Sequence, residues 1–379
     1  MSAVILKRLF VAILAVTLCS PVWAQTSTFT EWAVPTAGSE PLHLVAASDS
    51  VFYFTESGRN TLAQLNTATN TFVEIRLPAG SMPHGLVLSS NLVAFCAFNG
   101  NYVGFFNTTT GALTAWPVPT ANSGTIHLDL SGTSVFFTEA NGNKIGFLNP
   151  STAQITEWLV PTAGALPRGV VVGQGAQVFV AELGTRKIAM LDTSANTITE
   201  WTLPTVFKQV EHLRFSGGVV YFGDLGSSWL GTLNPATNVL TSWKSPTVNA
   251  AVPDVFVPSS LINFTERKGN KIGLLNPTIQ LGANQTLMPV ITQTPPVVTA
   301  VKSTSPHVSK ITTIVNPTIT EVAGVVTGGF TEWAIPTAES QPLGIIGIDN
   351  IIAFTEYSGN KVATLVSTEH ASVAVTAVP

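Results

Sequence analysis

Four of the six histidines in this 379-residue chain stand at one recurring position. His43, His84, His127 and His212 each lie at the start of a short apolar run. The corresponding places further along hold Arg168 and Asp254, with Glu211 beside His212. A second recurring position carries acids: Glu56, Glu139, Glu182, Asp224, Glu266 and Glu356, four of them closing a Phe-Thr-Glu phrase. His127 and Glu139 are 12 residues apart across a short turn, as are His212 and Asp224, while Arg168 and Glu182 are 14 apart. Such hairpins bring the start of one strand beside the end of the next, so both series are expected at one mouth of the fold. Imidazoles and carboxylates around a concave opening can hold a divalent metal or supply a base that titrates near neutrality. Recurrence also has a plainer reading. An acid repeated so often can accept backbone N–H groups of the adjoining turn or pair across its hairpin, worth roughly 0.2–1 kcal/mol. That reading is favoured for the acids. For the histidines, variation at a shared position is what a ligand site requires. Gly85, Gly169 and Gly344 break the series in three repeats.

The elements that position these residues follow from a longer period. Trp32, Trp116, Trp158, Trp201, Trp243 and Trp333 mark a phrase built on Thr-Glu-Trp, with Ile75 in the vacant place. The steps are 43, 41, 42, 43 and 42 residues, then a double step of 90. Repeats of about 40–45 residues made of short alternating strands are the mark of a β-propeller with one four-stranded blade per repeat. A helical repeat would need apolar residues at i, i+3 and i+4, which these segments lack. Second strands ending at Glu56, Phe98, Glu139, Glu182, Asp224, Glu266 and Glu356 predict an all-β, seven-bladed β-propeller of antiparallel blades. Phe29–Thr36 nearly duplicates Phe330–Thr337 yet precedes any inner strand. It is therefore expected to be the outer strand of the last blade and to close the ring, in competition with the tail Ser372–Val378. Residues 25–379 then form one domain with an irregular insertion at about 281–329. Within it, Lys310-Ile311, Asn316-Pro317 and Thr320-Glu321 echo half a blade. An elaboration between strands of the sixth blade is the favoured reading, over a degenerate eighth repeat.

Residues 1–24 read as a signal peptide. Lys7 and Arg8 precede the apolar run Leu9–Leu18, and Ala24 is a suitable cleavage point. The apolar run is too short to span a bilayer, which takes about 20 residues, so no transmembrane segment is expected. Cys19 raises a lipoprotein alternative that bulky Leu18 disfavours. Export to the periplasm or the extracellular space follows. Removing the leader takes Lys plus Arg from 17 to 15 against 21 Asp plus Glu, a balance of about −6, with no basic stripe for nucleic acid. Cys96 alone remains, inside an alternating strand, where it reads as a small buried apolar residue. Asn107, Asn263 and Asn284 head chance Asn-x-Thr sequons, and His307 and His370 fall outside the repeat pattern. No Gly-x-Ser-x-Gly, Cys-x-x-Cys or His-x-x-x-His spacing occurs.

Glu-Trp-x-Val-Pro-Thr, an inner strand opening Pro-x-Gly (Pro167-Arg168-Gly169), Phe264-Thr265-Glu266 and Asn270-Lys271-Ile272-Gly273 resemble the repeats of the virginiamycin B lyases, or streptogramin B lyases. The likeness spans nearly all of residues 29–366 outside the insertion. It implies a seven-bladed propeller and, by extension, a lyase that opens a cyclic depsipeptide by elimination, with a histidine base and Mg2+ held by acids. The family's centre places an acid two residues before the histidine. This chain has neither Glu-x-His nor Asp-x-His, so the resemblance assigns no catalytic residue here. The expectation is an exported, monomeric propeller that binds a small molecule or a cell-envelope partner at a His- and acid-lined mouth. The alternative is a metal-assisted carbon–oxygen lyase using Mg2+.

Overall fold

Each Thr-Glu-Trp-type segment forms the fourth strand of a sheet, and seven such sheets stand around one axis, two of them edged by a short fifth strand. The computed structural model describes residues 27–258, 261–277, 313–315, 320–322 and 329–367. The leader, Ser372–Val378, His307, His370, Asn284 and the prolines of the insertion lie outside the described residues.

From the axis outward, blade 1 consists of Pro41–Ala46, Val51–Glu56, Thr61–Asn66 and Thr71–Arg76. Blade 2 is Pro83–Ser89, Leu92–Ala97, Tyr102–Asn107 and Leu113–Pro117, and blade 3 Thr125–Ser131, Ser134–Glu139, Lys144–Asn149 and Gln154–Leu159. Blade 4 is Pro167–Val172, Gln177–Glu182, Lys187–Asp192 and Thr197–Thr202; blade 5 is Val210–Ser216, Val219–Asp224, Trp229–Asn234 and Val239–Lys244. Blade 6 has a short inner strand, Val255–Phe256, then Ile262–Glu266, Lys271–Asn276 and Gly329–Ala334. Blade 7 combines Pro342–Ile348, Ile351–Glu356 and Lys361–Ser367 with Ser27–Ala33 from the other end of the chain. Neighbouring inner strands touch all the way round, including blade 7 against blade 1, so the ring is closed.

The recurring residues now acquire physical roles. Phe54, Phe95, Phe137, Phe222, Phe264 and Phe354 are fully buried on the second strands, and burial of each contributes about 1.5–3 kcal/mol. Opposite each stands a small residue: Ala63, Gly104, Gly146, Gly231, Gly273 or Ala363. A Cβ at Gly146 would fall 2.1 Å from the Phe137 ring, which explains the Gly of Asn-Lys-Ile-Gly. Its Asn holds the link between blades. Asn143, in the left-handed region at φ 55°, donates to the Val160 and Thr162 carbonyls and accepts from Ala165 N–H. The Trp indoles of Trp32, Trp158 and Trp201 donate to Asn70, Asn196 and Asn238 in the hairpin of the next blade.

Two expectations need correction. The second strand of blade 2 ends at Ala97, not Phe98, because Ala97 pairs with Pro83 as Glu56 pairs with Pro41. Nor do the described segments of the half-blade echo form a degenerate eighth repeat, the alternative reading. Thr313–Val315 runs parallel to Thr197–Thr199 on the edge of blade 4, and Thr320–Val322 parallel to Val239–Thr241 on blade 5. The insertion thus leaves blade 6 after its third strand and returns as its fourth, Gly329–Ala334. In the described residues the one helix is the single turn Ser57–Arg59, and no helix is long and apolar enough to cross a membrane.

Candidate functional site

The inner strands are irregular at the position that carries the chemistry. In blades 1–5 and 7 the pairing with the second strand slips between the first and fourth residues, as between Pro41 and Leu44. A bulge of this kind re-aims side chains and leaves backbone groups without ladder partners. The Thr of Phe-Thr-Glu supplies some of those partners. Thr55 Oγ1 accepts from His43 N–H (3.4 Å) and donates to the His84 carbonyl of the next blade (2.7 Å). Thr138 joins His127 to Arg168, and Thr355 joins Gly344 to Leu42, in the same way. Blade 2 has Cys96 at this place, fully buried, its thiol pushed well up by burial.

The four imidazoles meet on the axis. Ring centroids are 4.2 Å apart for His127–His212, 4.6 Å for His43–His212 and 4.8 Å for His43–His127. His84 lies 5.1 Å from His43 and 5.0 Å from His127. They form a waist between two cavities rather than the rim of one. A cavity of about 250 Å³ on one side is lined by His43, His127 and His212 together with Asp129, Arg214 and Phe256. One of about 160 Å³ on the other side is lined by His43, His84, His212, Arg168, Glu211 and Arg267. Asp254 reaches both.

The expected shared position needs correction. His43, His127 and His212 are the third residues of their inner strands, with Asp254 level with them in blade 6. His84 and Arg168 are second residues, level with Glu211, and glycines fill the third place in blades 2, 4 and 7. Gly344, Gly85 and Gly169 lie against the backbone of the following blade, at His43, His127 and His212 respectively. A Cβ at Gly85 would lie 2.9 Å from His127 Cα, and one at Gly169 only 2.3 Å from the Glu211 carbonyl oxygen. Blades 7, 2 and 4 therefore recede so that blades 1, 3 and 5 can present their histidines. Gly169→Ala is expected to cost about 1–3 kcal/mol through this backbone clash. Urea unfolding checks it, and an unchanged midpoint would contradict the close approach.

Electrostatics at the waist favour uncharged rings. Burial pushes His43 down to about 3, assisted by the Arg214 and Arg168 charges. Burial also places His84, His127 and His212 well below the usual imidazole value. His212 Nδ1 faces Asp254 Oδ1 at 3.4 Å. The Asp254 carboxylate accepts the Val255 and Ile345 N–H groups, and burial raises it to about 6 against the pull of Arg214. His84 Nδ1, His127 Nε2 and His212 Nε2 are buried without a hydrogen-bond partner among the described residues. Arg168 pairs with Glu211 at 2.7 Å, and burial still holds the Glu211 carboxyl above its ordinary range.

The acids of the second strands sit elsewhere. Glu56, Glu139, Glu182, Asp224, Glu266 and Glu356 are fully buried, yet none lines either axial cavity. Successive strand residues point to opposite faces. With the Thr facing the next blade, the acid turns into the seam with the preceding one. There Glu139 meets Glu157 of the outer strand, Glu182 meets Glu200, and Glu356 meets Glu31. Burial and these like charges raise Glu56, Glu139 and Glu182 to about 8 and Glu356 to about 7. Each outer Glu is in turn held by a third-strand Lys and a linker Thr, as in Lys144–Glu157 (2.7 Å) with Thr120. Asp224 instead caps a turn, accepting the Lys208, Gln209 and Gly226 N–H groups. Asn263 is also fully buried, so its sequon is inaccessible in the fold.

Some lining residues were passed over in the sequence. Asp129 and Arg214 lie two places beyond His127 and His212, so period-two alternation already pointed them at the channel. Arg267 and Tyr357 directly follow Glu266 and Glu356, and the Arg267 guanidinium lies 5.5 Å from the Tyr357 ring centre. Only the closed ring puts them at the mouth.

A seven-bladed propeller whose channel is crossed by side chains from its inner strands is thus the class the geometry defines. The sequence profile of the virginiamycin B lyase family matches residues 21–257, and the chain belongs to that family. Virginiamycin B lyase from Staphylococcus aureus, as its selenomethionine form, is 19% identical and superposes with a TM-score of 0.71 over 90% of this chain and 99% of its own. A streptogramin B lyase is 20% identical, with a TM-score of 0.72 over 92% and 100%. A catalytically inactive histidine-to-alanine variant of the S. aureus enzyme with quinupristin is also 19% identical, with a TM-score of 0.71 over 90% and 99%. No curated protein sequence matches.

The Mg2+ that the family resemblance implies does not fit this waist. Mg2+ takes oxygen ligands in near-octahedral geometry and keeps several waters. The unpartnered atoms on the axis are imidazole nitrogens. Among the described residues, His43, His127 and His212 are the one group of three or more potential ligands that come together. The second-strand acids lie singly in separate seams.

Proposed function

We propose that this protein is an exported propeller that binds a small ligand at the mouth of its axial channel. The carrying observation is the convergence of Arg168, Glu211, Arg267 and three histidines on the cavity of about 160 Å³. Fixed charges and neutral imidazoles there suit a compact polar ligand that accepts hydrogen bonds from the guanidinium groups. The basic and apolar leader ending at Ala24 supports export to the periplasm or the cell exterior.

A second reading, a carbon–oxygen lyase for a cyclic depsipeptide, is supported by membership of the family and by the relative determined with quinupristin. One assay separates the two. The mature chain is incubated with quinupristin, with Mg2+ or with chelator, and the antibiotic is followed by mass spectrometry and by ligand-observed NMR. Under the binding reading quinupristin is not linearised. A panel of small carboxylic acids gives saturation transfer that Arg168→Ala abolishes. Mg2+-dependent linearisation lost in His212→Ala would overturn that reading in favour of the enzyme, and a panel without any binder would remove its support.

A further inference from the structure

We infer that the waist of the channel is a binding site for one imidazole-preferring transition-metal ion, Zn2+ or a neighbour of it, held by His43, His127 and His212. One ring nitrogen from each lies within 4.8 Å of the other two. Zn–N bonds of about 2.0–2.1 Å set tetrahedral ligand atoms roughly 3.3 Å apart, so closing onto an ion takes small side-chain rotations and no change of backbone.

Three further features distinguish this cluster from histidines that merely fill a core. Core histidines have both ring nitrogens satisfied, since each buried polar atom left unpaired costs about 1–3 kcal/mol. Here Nε2 of both His127 and His212 has no partner among the described residues. Asp254 stands 3.4 Å from His212 Nδ1, the relation by which a carboxylate orients a metal-bound imidazole and leaves Nε2 for the ion. And the three histidines whose nitrogens come within shared reach are the three seated on Gly344, Gly85 and Gly169, while His84 enters the same waist from the preceding strand position. The 250 Å³ cavity lined by the same three side chains gives the ion a way in and leaves a coordination position open to solvent or ligand. Imidazole donors select Zn2+, Co2+, Ni2+ or Cu2+ over Mg2+.

The inference does not rest on the ligand-binding reading. Its test uses the mature chain stripped with chelator and titrated with Co2+ as the probe. The expected result is one Co2+ retained per chain, with the visible absorption of a low-coordinate, nitrogen-ligated ion. Zn2+ displaces it, and a thousand-fold excess of Mg2+ does not (roughly the gap expected between nitrogen- and oxygen-preferring ions). His127→Gln and His212→Gln each weaken binding more than about 100-fold, and Asp254→Asn about 10–100-fold. Arg168→Ala, which removes a nearby positive charge, does not weaken Co2+ binding while it removes ligand binding at the mouth, so the two proposals fail separately. In the wild-type chain, side-chain 15N resonances of His43, His127 and His212 shift on adding Zn2+, which needs no variant to fold. Absence of stoichiometric Co2+ from natively folded protein would overturn the site. So would equal binding by the His127→Gln/His212→Gln double variant, or 15N shifts confined to other histidines.

Discussion

A mature chain lacking residues 27–33 is expected to unfold at a temperature lower by roughly 10 °C or more. Those residues form the outer strand of blade 7, paired along their whole length from Ser27↔Ser367 to Ala33↔Lys361. Removing them strips the partner strand from Lys361–Ser367 and uncovers Phe354 and Leu365, which are fully buried and pack with Phe29. Glu31 goes with it. Its carboxylate holds Lys361 at 2.6 Å and accepts the N–H and hydroxyl of Thr337 in the link from blade 6. A blade with an open edge cannot bury both of its faces, and the ring loses its clasp. A loss of about 5 kcal/mol, at about 2 °C per kcal/mol for a domain of this size, gives the stated shift. Scanning calorimetry with size-exclusion chromatography measures it. A truncated chain melting within about 2 °C of the parent would mean that another segment closes the ring.

Alkaline pH is expected to loosen the seams between blades. Glu56, Glu139 and Glu182 are raised to about 8 and Glu356 to about 7, chiefly by burial and by the neighbouring outer-strand carboxylates. The unfolded chain releases these protons near pH 4.5, the folded chain only near 7–8. The stabilisation is therefore complete below about pH 4.5 and lost as pH rises through the folded values. The axial histidines act with the opposite sign. They are depressed, so the unfolded chain takes up protons below about pH 6.5 that the folded chain refuses, and stability falls with pH from there. From pH 4.5 to 6.5 the two trends oppose one another, whereas above 6.5 the acids act alone. Between pH 6.5 and 9 a decline of about 1–2 kcal/mol per carboxyl is expected, after allowing for water reaching the seams. Glu139→Gln and Glu182→Gln, which stay neutral, should flatten it: little changed at pH 5.5, the double variant should melt above the parent at pH 9. A parent melting temperature that is level from pH 6.5 to 9 would refute buried protonated carboxyls.

Much of this was readable in one dimension because the blades repeat. The tryptophan spacing gave the blade length, and the near-duplicate of Phe330–Thr337 at Phe29–Thr36 identified the closing strand. The recurrence of His43, His127 and His212 marked the inner strands, but His84 was grouped with them one residue out of register, since it stands level with Arg168 and Glu211. Period-two alternation could have taken the reading further, to Asp129 and Arg214. It also separates Thr138, which reaches across to Arg168 on the next blade, from Glu139, which turns back into the seam with the preceding one. Grouping the second-strand acids with the histidines overlooked that alternation and relied on strand ends alone.

By itself, then, the sequence determined the blade count, the order of strands and which residues stand at equivalent places, since each depends on local alternation and on a period carried along the chain. Only the tertiary structure decided which equivalent residues meet. Curvature about the axis brings alternate inner strands close enough for His43, His127 and His212 to converge, and it does so because Gly344, Gly85 and Gly169 let the adjoining backbone in. That is a contact between neighbouring blades, about forty residues apart for Gly85 and Gly169 and across the ring closure for Gly344, and the identity of one glycine does not disclose which strand will come to rest against it.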